Sequence, residues 1–274
     1  MPKNLHKFYY KDYFAGIYFC IKKNSDKNEV STNNEGTVEI ESRNNQLLES
    51  SNQSYLDEAK KAFGSINTFV EHGFTLDVRY PGLVTGVGIN HEAKVEGEFK
   101  LGLHLDYTTG LPVIYGSSVK GVLRSAFREE NLLDILPILA PNLKNELEPI
   151  QRKMQSKPLK AWADAIFGDD DDRDSRSPYE RDIFFDAIVV NTNSRDRFLA
   201  ADSITPHGSD PLKNPVPLTF VRIASGCKIE FRFRLTDSDS LTANEKETLF
   251  KAILIAFGIG AKTNVGYGRL EYKD

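Results

Sequence analysis

The chain has 274 residues, 40% of them hydrophobic, and a net charge of −4 at pH 7. That length supports one large domain or two small ones, and no run of about 18 apolar residues predicts a membrane span. The first residues lack the continuous apolar segment of a signal peptide. Two cysteines, Cys20 and Cys227, are too few for a disulfide scaffold or a structural zinc site. We therefore expect a cytoplasmic protein with free thiols, whose acidic balance permits nucleic-acid binding only if basic residues gather on one face.

Residues 1–65 are predicted to form an N-terminal extension. Asn, Ser, Glu and Lys dominate residues 24–54 and apolar residues are scattered there, which favours a flexible segment. The preceding stretch, Phe8 to Cys20, is rich in aromatic residues and is compatible with a hairpin or a short helix.

From residue 66 onward, apolar and polar residues alternate along several segments, as in Phe74, Leu76 and Val78. Alternation with a period of two predicts half-buried strands. The predicted strands are 73–79, 99–106, 183–190, 228–235 and 266–272. Their solvent face would carry basic residues, although each one alone is more often an ordinary solvated position: Arg79, Lys100, His104, Arg232 and Arg234.

Two amphipathic helices are predicted. The first runs from about residue 118 to 127, with Ser117 or Ser118 as its cap, and the second from about 243 to 257. Thr242 and Glu245 form a capping box for the second helix, and Gly258 would end it. With insertions at about 132–180 and 191–217 set aside, the element order is the β-α-β-β-α-β arrangement of a ferredoxin-like, RRM-like α+β fold over residues 66–274.

The two predicted insertions differ in composition. Residues 132–167 have a helical pattern interrupted by prolines, and an acidic run follows between Gly168 and Tyr179. Such a run could bind a cation but is more often a solvated loop, so no metal is predicted. Residues 191–217 contain four prolines and many polar residues, which predicts a long loop.

The most specific motif reads FGIGAKTNVGYGR over residues 257–269. Glycines permit positive φ and the close approach of a partner's backbone, and the polar residues offer donors to phosphate or sugar oxygens. A helix cap followed by a glycine-rich turn accounts for Gly258 better than for the whole pattern. Dinucleotide sites place their glycines before a helix rather than after one, so no cofactor is predicted. The candidate contacts are Gly258, Gly260, Lys262, Thr263, Asn264, Gly266, Tyr267, Gly268 and Arg269.

A second motif lies where the first predicted helix begins. The paired residues Ser117 and Ser118 open it, and free N–H groups at a helix start attract anions. Lys120 and Arg124 add positive charge. A capped helix with a solvated basic stripe is equally compatible with these residues. We expect this helix and the terminal loop to meet at one end of the sheet.

Together, Gly-Ser-Ser-x-Lys-Gly-x-Leu-Arg at 116–124 and the terminal glycine-rich loop resemble the RAMP superfamily of CRISPR proteins. Segments 185–187 (FDA), 202–207 (DSITPH) and 214–218 (NPVPL) narrow the resemblance to the family of sixth subunits of type III-B (Cmr) effector complexes. The resemblance covers about residues 72–272 through separated motifs in the right order.

The resemblance implies a ferredoxin-like fold, binding of CRISPR guide RNA near its 3′ end, and contact with target RNA and with other Cmr subunits, above all the repeating backbone subunit, in antiviral defence. In such complexes the aspartate that cuts target RNA belongs to the repeating subunit, in the loop after its first strand. The matching loop here, about Tyr80 to Glu98, contains His91 and Glu92 but no Asp. We therefore expect a non-catalytic subunit, with His91 and His207 as further RNA contacts.

Two alternatives stay open. Some RAMP-like proteins process precursor RNA with an acid–base pair, so a metal-independent endoribonuclease could use His72, His91, His104 or His207 with Lys94 or Lys120. No two histidines stand at a motif spacing, which weakens this alternative. A protein-only scaffold would account for the acidic balance but would leave the terminal loop without a role.

Overall fold

The structure, a computed structural model, describes residues 3–17, 19–24, 27–32, 34–62, 66–86, 95, 97–168, 177, 180–205, 217–238 and 241–273. The helices are α1 (Leu5–Lys7, continued by a π-helical turn Phe8–Asp12), α2 (Asn34–Ser50), α3 (Gln53–Ala62), α4 (Gly116–Ala126), α5 (Leu132–Leu139), α6 (Lys144–Met154), α7 (Leu159–Phe167) and α8 (Ala243–Phe257). The strands are β1 (Phe19–Asn24), β2 (Lys27–Thr32), β3 (His72–Val78), β4 (Gly82–Leu83), β5 (Lys100–Leu101), β6 (His104–Leu105), β7 (Pro112–Ile114), β8 (Ile183–Phe184), β9 (Ala187–Asn191), β10 (Leu199–Ile204), β11 (Leu218–Ala224), β12 (Lys228–Arg234) and β13 (Leu270–Glu271).

The main sheet has the strand order β13-β3-β12-β9-β7-β6, and all neighbours along this path are antiparallel. Phe74 lies opposite Phe231, and the two rings stack at 5.6 Å between centroids. Phe250 of α8 packs on Phe233 of β12, so α8 covers one face of the sheet. The predicted strands at 73–79 and 228–235 are thereby confirmed within a residue or two, as is a mixed α+β architecture.

A second sheet is formed by β10, β11 and β4 in antiparallel order, with β5 parallel to β11. Strand β10 lies inside the segment predicted as a long loop, so that prediction is wrong for residues 199–204. In β10 only Leu199 is fully buried, which leaves too weak an alternation to predict a strand. The proline-rich remainder, residues 206–216, lies outside the described residues.

The predicted strand at 99–106 is two short strands in different sheets. Strand β5 pairs with β11 in the second sheet, and β6 pairs with β7 in the main sheet. The chain crosses between them at Gly102, where an added Cβ would lie 2.8 Å from the Val221 carbonyl oxygen. A period of two reports burial on one face, but it does not tell which sheet a segment joins.

Two other predicted strands are shorter than expected. The segment 183–190 is divided at Phe185 and Asp186 into β8 and β9. Only Leu270–Glu271 of the segment 266–272 is a strand, because positive φ at Gly266 and Gly268 bends the chain before it.

The first helix begins earlier than predicted and is capped differently. Tyr115 occupies the N-cap position of α4, and its side chain makes no capping hydrogen bond to the first turn. Instead the Gly116 N–H donates to the Asp186 carboxylate at 2.8 Å, so the predicted serine cap is wrong. The second helix follows the prediction: Thr242 and Glu245 form the capping box of α8, and Gly258 ends it at φ 72°.

The prediction of a flexible segment over residues 24–54 is wrong for α2 and for strand β2. Ile40, Asn44 and Leu47 form a buried stripe at helical spacing. The central member is polar, which hid the pattern in the sequence. The Asn44 side chain donates to the Gly97 carbonyl and accepts a hydrogen bond from Tyr13. The aromatic start is helical over Leu5–Asp12 and buries Tyr9 and Tyr13.

Arg232 was predicted on the solvent face of its strand but is only 3% exposed. Its guanidinium donates to the Asp186 carbonyl oxygen from two nitrogens, at 3.1 and 2.7 Å. Asp186 therefore joins β12 through its carbonyl oxygen and α4 through its carboxylate. The alternation places Arg232 correctly on the face opposite the aromatic core, but that face is covered here.

The first insertion is helical, as predicted, and forms α5, α6 and α7. Leu136, Ile150 and Trp162 are buried, and the Trp162 indole donates to the Met154 carbonyl at 2.9 Å. Cys227 is a buried free thiol. Within the described residues, no helix combines the length and apolar composition that a membrane crossing needs.

Candidate nucleic-acid interface

The terminal loop, residues 258–269, is held by its own backbone against β4 and the residues after it. The Gly268 N–H donates to the Gly82 carbonyl and the Ala261 N–H to the Val84 carbonyl, each at 2.8 Å. The Ile259 N–H closes the loop on the Gly268 carbonyl at 2.9 Å. These bonds join the main sheet, through β13, to the second sheet, through β4.

The four glycines of the loop all have positive φ, and Lys262 adopts the left-handed conformation at φ 61°. An added Cβ would lie 1.9 Å from the Ile259 carbonyl oxygen at Gly268, and 2.3 Å from the Val84 carbonyl oxygen at Gly260. At Gly266 the nearest atom would be 3.6 Å away, in Pro81. The packing of the chain against itself therefore accounts for glycine at positions 260 and 268. This agrees with the alternative interpretation of the motif as a glycine-rich turn.

The outer surface of the loop presents cations and polar groups. Lys262, Asn264 and Arg269 are exposed, and Thr263 is half-buried. Arg79 lies beside them, since its N–H donates to the Arg269 carbonyl at 2.9 Å. The Arg79 side chain is 57% exposed and lies 3.7 Å from the Glu271 carboxylate. Three cations, one of them weakly paired, therefore share this end of the main sheet.

Tyr267 has a different position from its neighbours, because its ring is buried against Val84 and Phe220. Its hydroxyl donates to the Asp202 carboxylate at 2.8 Å. Burial, with the negative charge of Asp202, raises the pKa of Tyr267 to about 12. A buried ring cannot stack on a base, so Tyr267 fixes the loop from beneath.

Asp202 receives a second hydrogen bond at the same oxygen, from Arg222 Nε of β11 at 2.8 Å. Burial favours a higher pKa for Asp202, but the hydrogen bonds from Tyr267, the Ser203 N–H and Arg222 together lower it. The carboxylate is therefore ionised at neutral pH. Arg222 was not among the sequence candidates, because its partner is distant in the chain.

At the start of α4, Ser117 and Ser118 are exposed, while Lys120 and Arg124 are half-buried. The Arg124 guanidinium donates to the Gly168 carbonyl at 3.2 Å. An open groove of about 300 Å³ is lined by Gly116, Ser117, Lys120, Arg181, Asp182, Ile183 and Phe184. Asp182 is bonded there to the buried Lys246 ammonium at 2.8 Å.

The two candidate sites lie at opposite ends of the strands, so the expectation that they meet is wrong. Leu270, directly after the loop, pairs with Val78 at the end of β3. Gly116 packs on Phe184, which pairs with Phe233, and Phe233 pairs with His72 at the start of β3. Six residues separate the two rows, about 20 Å at 3.3 Å per residue. The β6–β7 hairpin, absent from the predicted topology, reverses the chain before α4.

The histidines divide into described and undescribed residues. His91 and His207, both RNA-contact candidates, lie outside the described residues, as do Glu92 and Lys94. His72 Nδ1 lies 3.1 Å from the Glu247 carboxylate, and the His104 ring stacks on Tyr115 at 4.8 Å. Within the described part of the chain, no cluster of three or more His, Cys, Asp or Glu side chains could hold a metal ion. Most of the acidic run, at residues 169–176, is not covered by that statement.

The antiparallel α+β architecture and the motifs at its two ends define a recognisable class. A family model described as the RAMP superfamily matches residues 75–271, which is more than half of the chain. The chain belongs to the RAMP superfamily.

Solved structures with similar folds were also found. A chain in the cryo-EM structure of the type III-B Cmr-beta bound to cognate target RNA is 19% identical, with a TM-score of 0.51 over 93% of this chain and 78% of that one. Cmr6 from Pyrococcus furiosus, a crystal structure, is 22% identical, with a TM-score of 0.40 over 74% of this chain and 98% of that one. A comparison with curated proteins gave no significant match. The match with the TM-score of 0.51 shows a similarity of fold.

Proposed function

We propose that this chain is a non-catalytic, guide-RNA-binding subunit of a type III-B CRISPR effector complex. One observation carries the proposal: the terminal loop is held rigidly where the two sheets join, and it presents Lys262, Asn264 and Arg269 outward beside Arg79. Cationic side chains on a hydrogen-bonded loop suit the binding of a sugar–phosphate chain, because phosphate groups are bound mainly through positive charge.

The comparisons support the assembly in which this would happen. The similar chain with the TM-score of 0.51 belongs to a type III-B structure bound to target RNA, and the family model identifies a RAMP protein. We infer that this chain likewise lies beside other RAMP subunits, including the repeating backbone subunit, and near both guide and target RNA.

We interpret the core of the main sheet as a ferredoxin-like unit. The strands β3, β9, β12 and β13 would be its four strands in chain order, with α4 and α8 as its helices. Their spatial order, β13-β3-β12-β9, corresponds to the 4-1-3-2 order of that fold. The RAMP domain would then be residues 66–274 with insertions at 132–180 and 191–217, and the hairpin β6–β7 would extend the sheet. Leu5, Tyr9 and Leu47, from the described part of the N-terminal extension, join its buried cluster.

The proposal of a non-catalytic role is supported by the positions of His72 and His104, the two described histidines among the acid–base candidates. His72 is on β3 and His104 is on β6, four strand spacings apart, which is about 19 Å. An acid and a base that cleave RNA must both reach one phosphodiester, so these two cannot form a pair. His72 is also engaged by Glu247. Incubation of the purified chain with labelled RNA should therefore give no cleavage. Cleavage abolished by His91→Ala or Glu92→Ala would contradict this part of the proposal.

Binding is tested with the double variant Lys262→Ala, Arg269→Ala. Both side chains are exposed, so folding should be unchanged while guide-RNA affinity falls. Loss of two phosphate contacts should flatten the log–log salt dependence by about 1.4 units, at about 0.7 per contact with single-stranded nucleic acid.

The matched control is Arg128→Ala, Lys144→Ala, which removes the same charge from exposed positions outside the terminal loop. Its salt dependence should equal that of the parent chain. If the loop variant binds guide RNA and joins the complex as well as the parent across the salt series, the proposed site is wrong.

A further inference from the structure

An aromatic strip lies on the edge of the main sheet. It consists of His6 and Tyr10 from the N-terminal helix, Tyr107 from the β6–β7 turn, and the pair His104 and Tyr115. Tyr107 is 75% exposed and Tyr115 is 43% exposed. Large exposed aromatic rings grouped in this way on a protein surface indicate a binding site.

Ring contacts connect the members of the strip. The His6 ring lies 4.5 Å from Tyr10 and 5.2 Å from Tyr107 between centroids. His104 and Tyr115 form a parallel stack at 4.8 Å with 25° between their planes. Burial raises the pKa of Tyr10, and Tyr115 adds to the shift. Tyr107 lies in the turn that follows β6, the strand that carries His104. The strip therefore continues from the N-terminal helix to the cap of α4.

The two histidines contribute rings rather than charge. Partial burial lowers the pKa of His104. Burial also lowers the pKa of His6, against the opposing effect of Asp106. Both imidazoles are therefore neutral near pH 7 and present flat, uncharged surfaces.

Residues of the strip also help to hold the N-terminal helix on the β6–β7 hairpin. Asn4 donates to the Tyr107 and Thr108 carbonyls, at 3.1 and 2.9 Å, so the N-terminal helix is fastened to the hairpin by its backbone. These bonds hold the segment in place whether or not the Tyr107 side chain is present. The hydrogen bonds from Asn4 therefore explain the position of the Tyr107 backbone but not the exposure of its ring.

Two exposed cations lie at the N-terminal end of the strip. Lys7 and Lys11 are exposed on the same helical segment as His6 and Tyr10, and Lys7 lies 3.5 Å from Asp12. The nearby acid, Asp106, is bonded within its own turn by the Thr108 and Thr109 N–H groups and by the Thr109 hydroxyl. At its other end the strip reaches Tyr115, two positions before the exposed Ser117.

We propose that this strip is a stacking platform for the bases of single-stranded RNA, with Tyr107 and Tyr115 as its exposed contact rings. This rests on the proposed function, in that the chain must bind RNA, but it assigns a second contact of a different kind. The terminal loop holds phosphates through charge, whereas the platform holds bases through their faces. Base–aromatic stacking is sequence-tolerant and contributes about 1–3 kcal/mol per base.

The test measures binding of the full chain to a labelled single-stranded RNA and to an abasic oligomer of the same length. Tyr107→Ala and Tyr115→Ala should each weaken RNA binding by about 5- to 150-fold, the equivalent of one stacked base, with an unchanged salt slope. Both should bind the abasic oligomer as the parent does. Tyr107→Phe and Tyr115→Phe retain the rings and should bind like the parent.

Tyr80→Ala is the matched control, because Tyr80 is 83% exposed and lies outside the strip, directly before Pro81, which faces Gly266 of the terminal loop. It should leave the difference between the two oligomers unchanged. A Tyr107→Trp variant provides a second readout, since the native Trp162 is buried. The fluorescence of the introduced indole should be quenched by the RNA and not by the abasic oligomer.

The outcomes separate the two proposals. If the alanine variants bind RNA like the parent, or the fluorescence of the Tyr107→Trp variant does not respond to bound RNA, the platform is refuted while the terminal-loop site stands. If the alanine variants keep RNA affinity but lose neighbouring subunits, the strip is a protein interface and the platform is again refuted. If the parent chain binds neither oligomer, the proposed function fails as well.

Discussion

The Tyr267 hydroxyl donates a hydrogen bond of 2.8 Å to the Asp202 carboxylate, and this bond ties the terminal loop to strand β10. Arg222 Nε shares the same acceptor oxygen at 2.8 Å. One carboxylate therefore connects two strands of the second sheet with a loop that belongs to the main sheet. The exposed cations of the loop depend on this anchor for their position.

The anchor should make stability depend on pH. Because the pKa of Asp202 is lowered in the folded chain, its contribution is present above the unfolded value, about 3.9, and is lost as pH falls through the folded value. Asp202→Asn should therefore be less stable than the parent at pH 7, and the difference should shrink below about pH 4. Urea denaturation from about pH 3 to pH 7 measures it. A difference that grows on acidification would show that the carboxylate is not the anchor.

The glycines of the terminal loop should differ in their tolerance of substitution. Gly268→Ala places a Cβ 1.9 Å from a carbonyl oxygen and should prevent the loop from closing. Gly266→Ala meets no close atom but retains the strain of positive φ, about 1–3 kcal/mol. Thermal melts of both variants would rank them.

Gly121 provides the control for this series, because it lies within α4 and an added Cβ meets nothing within 4 Å. Gly121→Ala should stabilise the chain by roughly 0.5–1 kcal/mol. Equal losses at Gly266 and Gly268 would mean that the contact with Ile259 is easily relieved.

Arg232→Ala should destabilise the chain by about 3 kcal/mol, since it removes two charge-assisted hydrogen bonds made by a buried guanidinium to the Asp186 carbonyl oxygen. Arg232→Lys should not restore stability fully, because an ammonium cannot reproduce the fork of a guanidinium. Arg128→Ala, at an exposed position, should change stability by less than about 0.5 kcal/mol. Urea unfolding compares the three variants, and a loss at Arg128 as large as at Arg232 would argue against a specific structural role.

Local sequence patterns were sufficient to predict an element when the residues that define it lie close together in the chain. The alternation around Phe74 and around Phe231 predicts β3 and β12 because each strand has one face on the core. Thr242 and Glu245 predict the start of α8 because a capping box involves only residues three apart. The glycine-rich loop is likewise recognisable from residues adjacent in the chain.

Sequence patterns alone are enough to predict the α+β class, the central strands, the helix α8 and the presence of two unusual motifs. Contacts between distant segments were needed to show that residues 99–106 contribute to two sheets, that Asn44 completes a buried helix face, and that Arg232 is buried. It also placed the start of α4 and the terminal loop at opposite ends of the strands. The physical reason is that a pattern of burial records how a segment meets its surroundings, whereas partners and distances arise from contacts between residues far apart in the chain.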